Sequence, residues 1–463
     1  MDGSQVFVPV HQAASEGALN ADVLSLYLQL LTAEFMKGML HQEKVKQNNR
    51  LYNPLVVMWL MVYQRLHGNA SMERAVANVV QGLPAEFWPR PCKRRRENRV
   101  SGNDGSYSSA RQELPLGVVE QIANQVWGGL LAQTGGAARV CGRRAMSIDG
   151  TSVRAPHRPE MKQEFPPTSN QHGQSHWPVV KMLVAHDLET ALAMPPVWGA
   201  MSGPQAVSEQ ALFEELLREC MPAGAVLVGD INFGVFSVAY AADQRQHPVV
   251  LRMQQQRARA LLGGPLVDGI DREVEWRPSR EERKSHPDLP ADASVQGRLL
   301  VTLVQPDNGK DAFLLLIFTT LSAAEASRED VVQIYGKRWN IELDLRTLKG
   351  TLQLEQLTCT SPDMIAKEIH AAMITYNLVR AVMYAAAAQA GLAPRRYSFA
   401  RVRNIVEHFL PFIAAAKTPE EAQALTEKMM YCVGQKKLRI RKGRRSYPRE
   451  AWGRPRTFPS RKA

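Results

Sequence analysis

Three carboxylates, Asp149, Asp230 and Glu342, stand in contexts that suit one site for hard divalent cations. Asp149 follows the apolar run Ala145-Met-Ser-Ile148 and precedes Gly150, while Asp230 closes Ala225-Val-Leu-Val-Gly229 and is followed by Asn232 and Gly234. Runs of this kind read as short strands, which sets both acids at strand carboxyl ends, where α/β sheets build their crevices. Either Asp alone is better read as a turn residue bonding to nearby backbone. The stretch after Ser327 changes that balance. Tyr335, Arg338, Glu342 and Lys349 fall at offsets of zero, three, seven and fourteen, which at about 3.6 residues per turn puts all four on one helical stripe. An ordinary i,i+4 ion pair on a solvated face, worth about 0.3 kcal/mol, accounts for Arg338 and Glu342 only. A phosphate-contacting face beside a metal-binding Glu accounts for all four.

Magnesium binds few protein carboxylates and keeps positions open for water and substrate phosphate, a demand met by acids converging from two strands and a helix. Two such ions activate an attacking water or 3′-hydroxyl and stabilise the leaving oxygen of an in-line displacement at phosphorus. The chemistry expected is phosphodiester cleavage or transfer with no covalent protein intermediate.

The surrounding chain supplies elements to hold these groups. Helical periodicity runs from about Asp22 to Pro84, as in Val23, Leu26, Leu30 and then Leu55, Met58, Trp59 and Val62. This gives a helical N-terminal unit over 1–100. The basic run Lys93–Arg96 and a Ser/Gly/Asn-rich stretch from Ser101 to Ala110 follow, so 101–137 reads as a linker with one helix from about Leu116 to Leu131. From 138 to 400 the texture is mixed α/β. Strands are expected at Ala145–Ile148, Val179–Ala185 and Ala225–Val228, and a helix at Ser208–Cys220. A β-rich, charged segment at about 247–321 reads as an insertion, with strands at Val249–Met253, Arg298–Val304 and Phe313–Thr319. Helices are expected at about Arg328–Leu352 and Pro362–Ala390, the latter packed on the core, and 401–463 reads as a helical region with a basic tail.

The 463 residues carry 57 Lys and Arg against 45 Asp and Glu, a formal charge of +12 that favours a polyanionic partner, nucleic acid or an anionic membrane surface. The apolar runs at Leu55–Tyr63 and Phe313–Leu321 are too short to cross a bilayer, so no membrane role is expected. Met1–Val10 lacks the basic-then-apolar pattern of an export signal, and the expected location is the cytoplasm. Five scattered cysteines without a Cys-x-x-Cys support neither a disulfide framework nor a zinc knuckle. His157, His172 and His176 lie among prolines and glycine and read as a polar loop instead of a metal-binding helix. The tail from Lys436 to Lys462 has twelve Lys and Arg against Glu450, with Tyr447, Trp452 and Phe458 able to lie against sugars or bases.

At these residues the chain resembles the insertion sequence 4 family of DDE transposases. The family signature of Tyr, two residues, Arg, three residues, Glu, six residues, Lys stands here as Tyr335, Arg338, Glu342 and Lys349. Ile148-Asp149-Gly150 and Gly229-Asp230-Ile-Asn-Phe233 look like the family's two acidic motifs, although Ile231-Asn232 replaces the Arg-Gly often found after the second Asp. The resemblance implies a ribonuclease H-like core interrupted by a β-rich insertion and preceded by an all-helical N-terminal DNA-binding domain. It makes Asp149, Asp230 and Glu342 catalytic ligands of two magnesium ions, with manganese able to substitute. Tyr335, Arg338 and Lys349 become contacts to the phosphates of the element's end. It further implies binding of terminal inverted repeats and target DNA, a homodimer holding two ends, and a bacterial, nucleoid-associated protein. Trp276, in the expected insertion, reads as a packed or partly exposed tryptophan of a β module and stays outside the site. Two other functions fit part of the pattern: a ribonuclease H-like nuclease that cuts without joining, and a non-catalytic DNA-binding regulator, against which the complete set of acids counts.

Overall fold

The computed structural model describes residues 22–438 except 47–48, 136–138, 171–172 and 306–310. Its centre is strand β1 (Ala145–Arg154), and a short hairpin, β2 (Pro167–Asn170), leads into β3 (Gly173–Asp187). β3 lies antiparallel to β1 in unbroken register from Met146↔Asp187 to Arg154↔Val179. The further face of β3 carries β4 (Val197–Ala200). On the other side of β1 run β5 (Val226–Gly229) and then β6 (Val249–Arg252), both parallel to it. All four β5 residues are buried, which is why Val-Leu-Val-Gly shows no alternation: a parallel strand covered on both faces has no polar side.

The sheet does not stop at β6. Strands β7 (Asp271–Trp276), β8 (Val295–Val304) and β9 (Phe313–Thr319) continue it in the order β6-β9-β8-β7, all antiparallel. The β-rich stretch expected as an insertion therefore gives one strand to the interior of the sheet and three to its edge. Its charged first member, β7, escapes a search for apolar alternation because only Val274 and Trp276 point inward. Trp276 is 3% exposed and meets Phe318 at 4.8 Å and Phe236 at 6.1 Å between ring centroids, so it packs the core.

Helix Pro362–Gln389 is the other centre of the fold. Ser361 caps its first turn and Pro362 takes the first helical position, where a missing N–H costs nothing. It is long and apolar enough to cross a membrane, a property the search for unbroken apolar runs passes over, but 89% of its most apolar window is buried inside the protein. Helices Pro54–Leu66, Leu116–Gln133 and Phe399–Ala414 cover it. Its apolarity is that of a core helix. Part of the expected linker also folds: Gly105–Glu113 is helical because Tyr107 is buried there, its hydroxyl 2.8 Å from Gln64 Oε1. The basic run Lys93–Arg96 forms one helical turn in which Arg95 stacks on Trp88 at 4.8 Å.

The stretch expected as one helix from Arg328 is three pieces. Arg328–Lys337 begins with a capping box of Ser327 and Asp330, Asn340–Arg346 follows, and Thr347–Thr351 is a π turn. Arg338 and Trp339 between the first two keep right-handed helical dihedrals. The N-terminal residues before 22 and the basic tail after 438 lie outside the described residues.

Candidate active site

The parallel ladder between β1 and β5 ends at Ser147↔Val228. Two residues further along the chain from that last pair stand Asp149, still in β1, and Asp230, the residue after β5, near enough for the charge of Asp230 to act on Asp149. Asp149 does not end its own strand, as the sequence suggested. β1 runs on to Arg154 because β3 pairs with it along that whole length, and it is the partner β5 that leaves. Gly150 is therefore a strand residue. A Cβ there would lie 2.5 Å from Oε1 of Glu209, so the glycine makes room for a fourth carboxylate from the first turn of helix Glu209–Arg218.

Asp230 does leave its strand in a turn. Its Oδ1 accepts from the backbone N–H of Asn232 at 2.8 Å, and its carbonyl accepts from that of Phe233 at 3.1 Å. A Cβ on Gly234 would overlap the carbonyl oxygen of Arg252, so only glycine lets this turn close on β6. Phe233 is 1% exposed, packs on Phe213 and would lie 2.7 Å from a Cβ on Gly229. Turn chemistry and a site carboxylate coexist in one residue.

Helix Asn340–Arg346 brings Glu342 to the same crevice. Arg338 reaches its Oε1 at 3.6 Å, but the pair is not the solvated one that spacing alone suggests: the Arg338 side chain is 8% exposed and that of Glu342 38%. The guanidinium lies 5.7 Å from the ring centroids of both Tyr335 and Trp339. Tyr335 is buried with its hydroxyl beside Arg338, and burial raises its pKa against the opposing pull of Arg338 and Arg252. Lys349 stands on the π turn, whose i→i+5 spacing takes it out of strict phase with the three residues upstream.

The electrostatics tie these groups together. The Asp149 carboxyl is pushed up to about 6, first by burial and next by the negative charge of Asp230, with Glu342 adding and Arg338 opposing. Glu209 is raised as well, by burial and then by Asp230, with Lys181 opposing. Glu209 was missed in the sequence: next to Ser208 it reads as the ordinary acid of a capped helix start.

Among the described residues no three carboxylate, imidazole or thiol side chains stand as a ready-formed metal cage. The donors nonetheless suit a hard dication in kind, being oxygens only, and the negative charges of Asp230 and Glu342 both act on the partly buried Asp149. Of the histidines, His157 and His176 stack with parallel rings 4.0 Å apart beside Trp177, and His176 lies in β3 instead of the expected loop. His172 lies outside the described residues.

Comparison with known proteins gives three results. The family described as transposase DDE domain matches residues 141–378, a span that holds all three acids and the signature helix. The chain is 27% identical over 328 residues to transposase InsG for insertion sequence element IS4 of Escherichia coli strain K12, covering 69% of this chain and 70% of that one. A solved chain titled as the piggyBac transposase synaptic complex with hairpin DNA shares 10% identity at a TM-score of 0.42, over 89% of this chain and 85% of the other.

Proposed function

From a chain that belongs to the DDE transposases of the insertion sequence 4 family, we infer a DNA transposase that binds the terminal inverted repeats of its element and catalyses metal-dependent strand cleavage and strand transfer. The observation that carries this reading is the nearness of Asp230 and Glu342 to Asp149, whose carboxyl is raised to about 6 by burial and by their negative charge. An enzyme of the polynucleotidyl transferase kind needs such a concentration of negative charge, which a protein otherwise avoids.

Asp149, Asp230 and Glu342 are the residues that would hold two magnesium ions, or manganese in their place. When bound, the ions supply positive charge to activate the attacking hydroxyl and stabilise the leaving oxygen. Arg338 pairs with Glu342 and is the guanidinium that would be available to a DNA phosphate at this site. Tyr335 and Lys349 are proposed to meet phosphates of the element's end, with the Tyr335 hydroxyl as donor. The sheet order β4-β3-β1-β5-β6, antiparallel on one side of β1 and parallel on the other, supports a ribonuclease H-like core over 138–400. β7–β9 are its insertion. The helices of 1–100 are assigned to recognition of the repeats, 101–137 to their connection, and 401–463 to a helical region with a cationic tail. The protein is proposed to work on chromosomal DNA in the bacterial cytoplasm, as a homodimer that holds two element ends.

Purified protein, magnesium and a labelled duplex bearing the terminal repeat test this, with Glu342→Gln alongside. The expected result is cutting at the repeat boundary and joined products from the wild type only, with both proteins binding the duplex. Cutting without joined products would make the protein a nuclease. Binding without cutting by either protein, under magnesium or manganese, would leave a DNA-binding regulator.

A further inference from the structure

Two residues beyond Glu342, Asp344 is 1% exposed. Side chains at i and i+2 on a helix point about 200° apart, so one turn sends Glu342 into the crevice and Asp344 into the core. There Asp344 is held from two directions. Arg380, on helix Pro362–Gln389, donates from Nη2 to Oδ1 at 2.7 Å, and Arg395 donates from Nη1 to Oδ1 at 3.0 Å and from Nη2 to Oδ2 at 2.8 Å.

Both arginines are themselves fixed. Arg380 donates from Nε to the Tyr376 hydroxyl at 2.9 Å, with its guanidinium 4.9 Å from the Tyr376 ring and 5.1 Å from that of Phe399. Arg395 donates from Nε to the carbonyl of Leu188 at 2.8 Å. The N–H of Leu188 in turn bonds the carbonyl of Ala145, the first residue of β1, at 2.9 Å. The carboxylate of Asp187 grips Arg144, the residue before β1, at 3.0 Å. A continuous path of hydrogen bonds thus joins the turn that carries Glu342 to the start of the strand that carries Asp149.

We propose that Asp344, clamped by Arg380 and Arg395, is a positioning residue that fixes the rotation and height of the Glu342 turn relative to Asp149 and Asp230. Apolar contacts from Ile341 and Leu345 already bury this turn. Well-packed apolar residues hold helices at least as firmly as buried charges do, so stability alone does not call for a carboxylate here. A forked Arg–carboxylate pair adds direction, which apolar contact lacks. The inference rests on the role given to Glu342 above.

The test compares the full-length wild type with Asp344→Asn, and with Arg395→Lys, which keeps the charge but removes the fork and serves where the first variant does not fold. Asp344→Glu provides the conservative control. Three quantities are measured: affinity for the terminal-repeat duplex without metal, manganese binding to that complex from loss of the free ion's paramagnetic resonance, and single-turnover cleavage. Unchanged duplex affinity is expected, with manganese affinity and cleavage rate each down about 10–100-fold, the range for losing a group that orients a metal ligand. Partial recovery of both is expected with Asp344→Glu. Variants that melt earlier but bind manganese and cut as the wild type does, at a temperature where both are folded, would overturn the inference and leave the clamp purely structural. A wild type that neither binds manganese nor cuts would overturn the function itself, and the inference with it.

Discussion

Replacing Asp149 by asparagine is expected to abolish cleavage and, at the same time, to make the metal-free protein more stable at neutral pH. In the unfolded chain this carboxyl ionises at its ordinary value of 3.8, whereas in the folded protein it is pushed up to about 6. The folded form therefore keeps its proton over a range where the unfolded chain has lost it. The resulting contribution to stability is fully present below 3.8 and is lost as pH rises through about 6. Two pH units correspond to about 3 kcal/mol as a ceiling. The side chain is only partly buried, and screening brings the expected figure to about 1–2 kcal/mol. Asparagine carries no such proton and suffers no such loss. Urea unfolding in a chelator should show wild type and variant together near pH 4, with the variant ahead by about 1–2 kcal/mol near pH 8 and an unchanged slope. Magnesium should narrow the gap by stabilising the wild type more than the variant. A gap of constant size from pH 4 to pH 8, or a variant less stable than the wild type near pH 8, would refute the argument that folding raises the Asp149 carboxyl.

Three further outcomes follow from the packing. Gly234→Ala should destabilise the protein by about 1–3 kcal/mol and slow cleavage more than DNA binding, because the new Cβ pushes the carbonyl of Arg252 away from the Asp230 turn; denaturant midpoints and single-turnover rates check this. Arg65 is 3% exposed, bonds Glu368 and reaches the carbonyls of Leu352 and Gln353 just past the signature helix, so Arg65→Met should cost about 3 kcal/mol in urea unfolding by leaving a buried carboxylate without its arginine, still held by Thr358 and Cys359. Trp276→Ala should cost about 3–5 kcal/mol, since it empties the space between Phe236 and Phe318, with duplex affinity unchanged at a temperature where the variant is folded.

What the sequence made legible was whatever depends on short range. The runs around Asp149 and Asp230 announced strands, and Val226–Gly229 and Phe313–Thr319 lie within a residue of where apolar composition put them. The spacing from Tyr335 to Glu342 announced a helical face, and Glu342 lies near enough for its charge to act on Asp149. What stayed hidden depends on partners far away in the chain. The length of β1 past Asp149 is set by β3, and the need for glycine at 150 is set by Glu209. Nothing near Asp344 shows that it is buried, because Arg380 and Arg395 come from elements that follow it. The π turn at Lys349 has no compositional signature at all, so a stripe drawn at regular spacing overran it.

Asp149 and Asp344 together show how the charges of this protein divide into two kinds. Asp344 is the more deeply buried, so desolvation alone would raise its carboxyl further, yet Arg395 and Arg380 hold it below the usual range. Asp149 is less buried yet stays raised, by burial and then by the negative charges of Asp230 and Glu342, with Arg338 as the opposing cation. Burial therefore does not explain the difference; the supply of arginine does. Where the fold needs a carboxylate for structure, as at Asp344, Asp187 and Glu368, it delivers an arginine to it. In the crevice Arg338 is shared among acids that outnumber it, although it is itself buried and well placed to serve one of them. Selection for stability alone would remove that imbalance by a single change to asparagine. Its presence on β1, just after β5 and on the signature helix is the feature on which the proposed binding of metal ions rests.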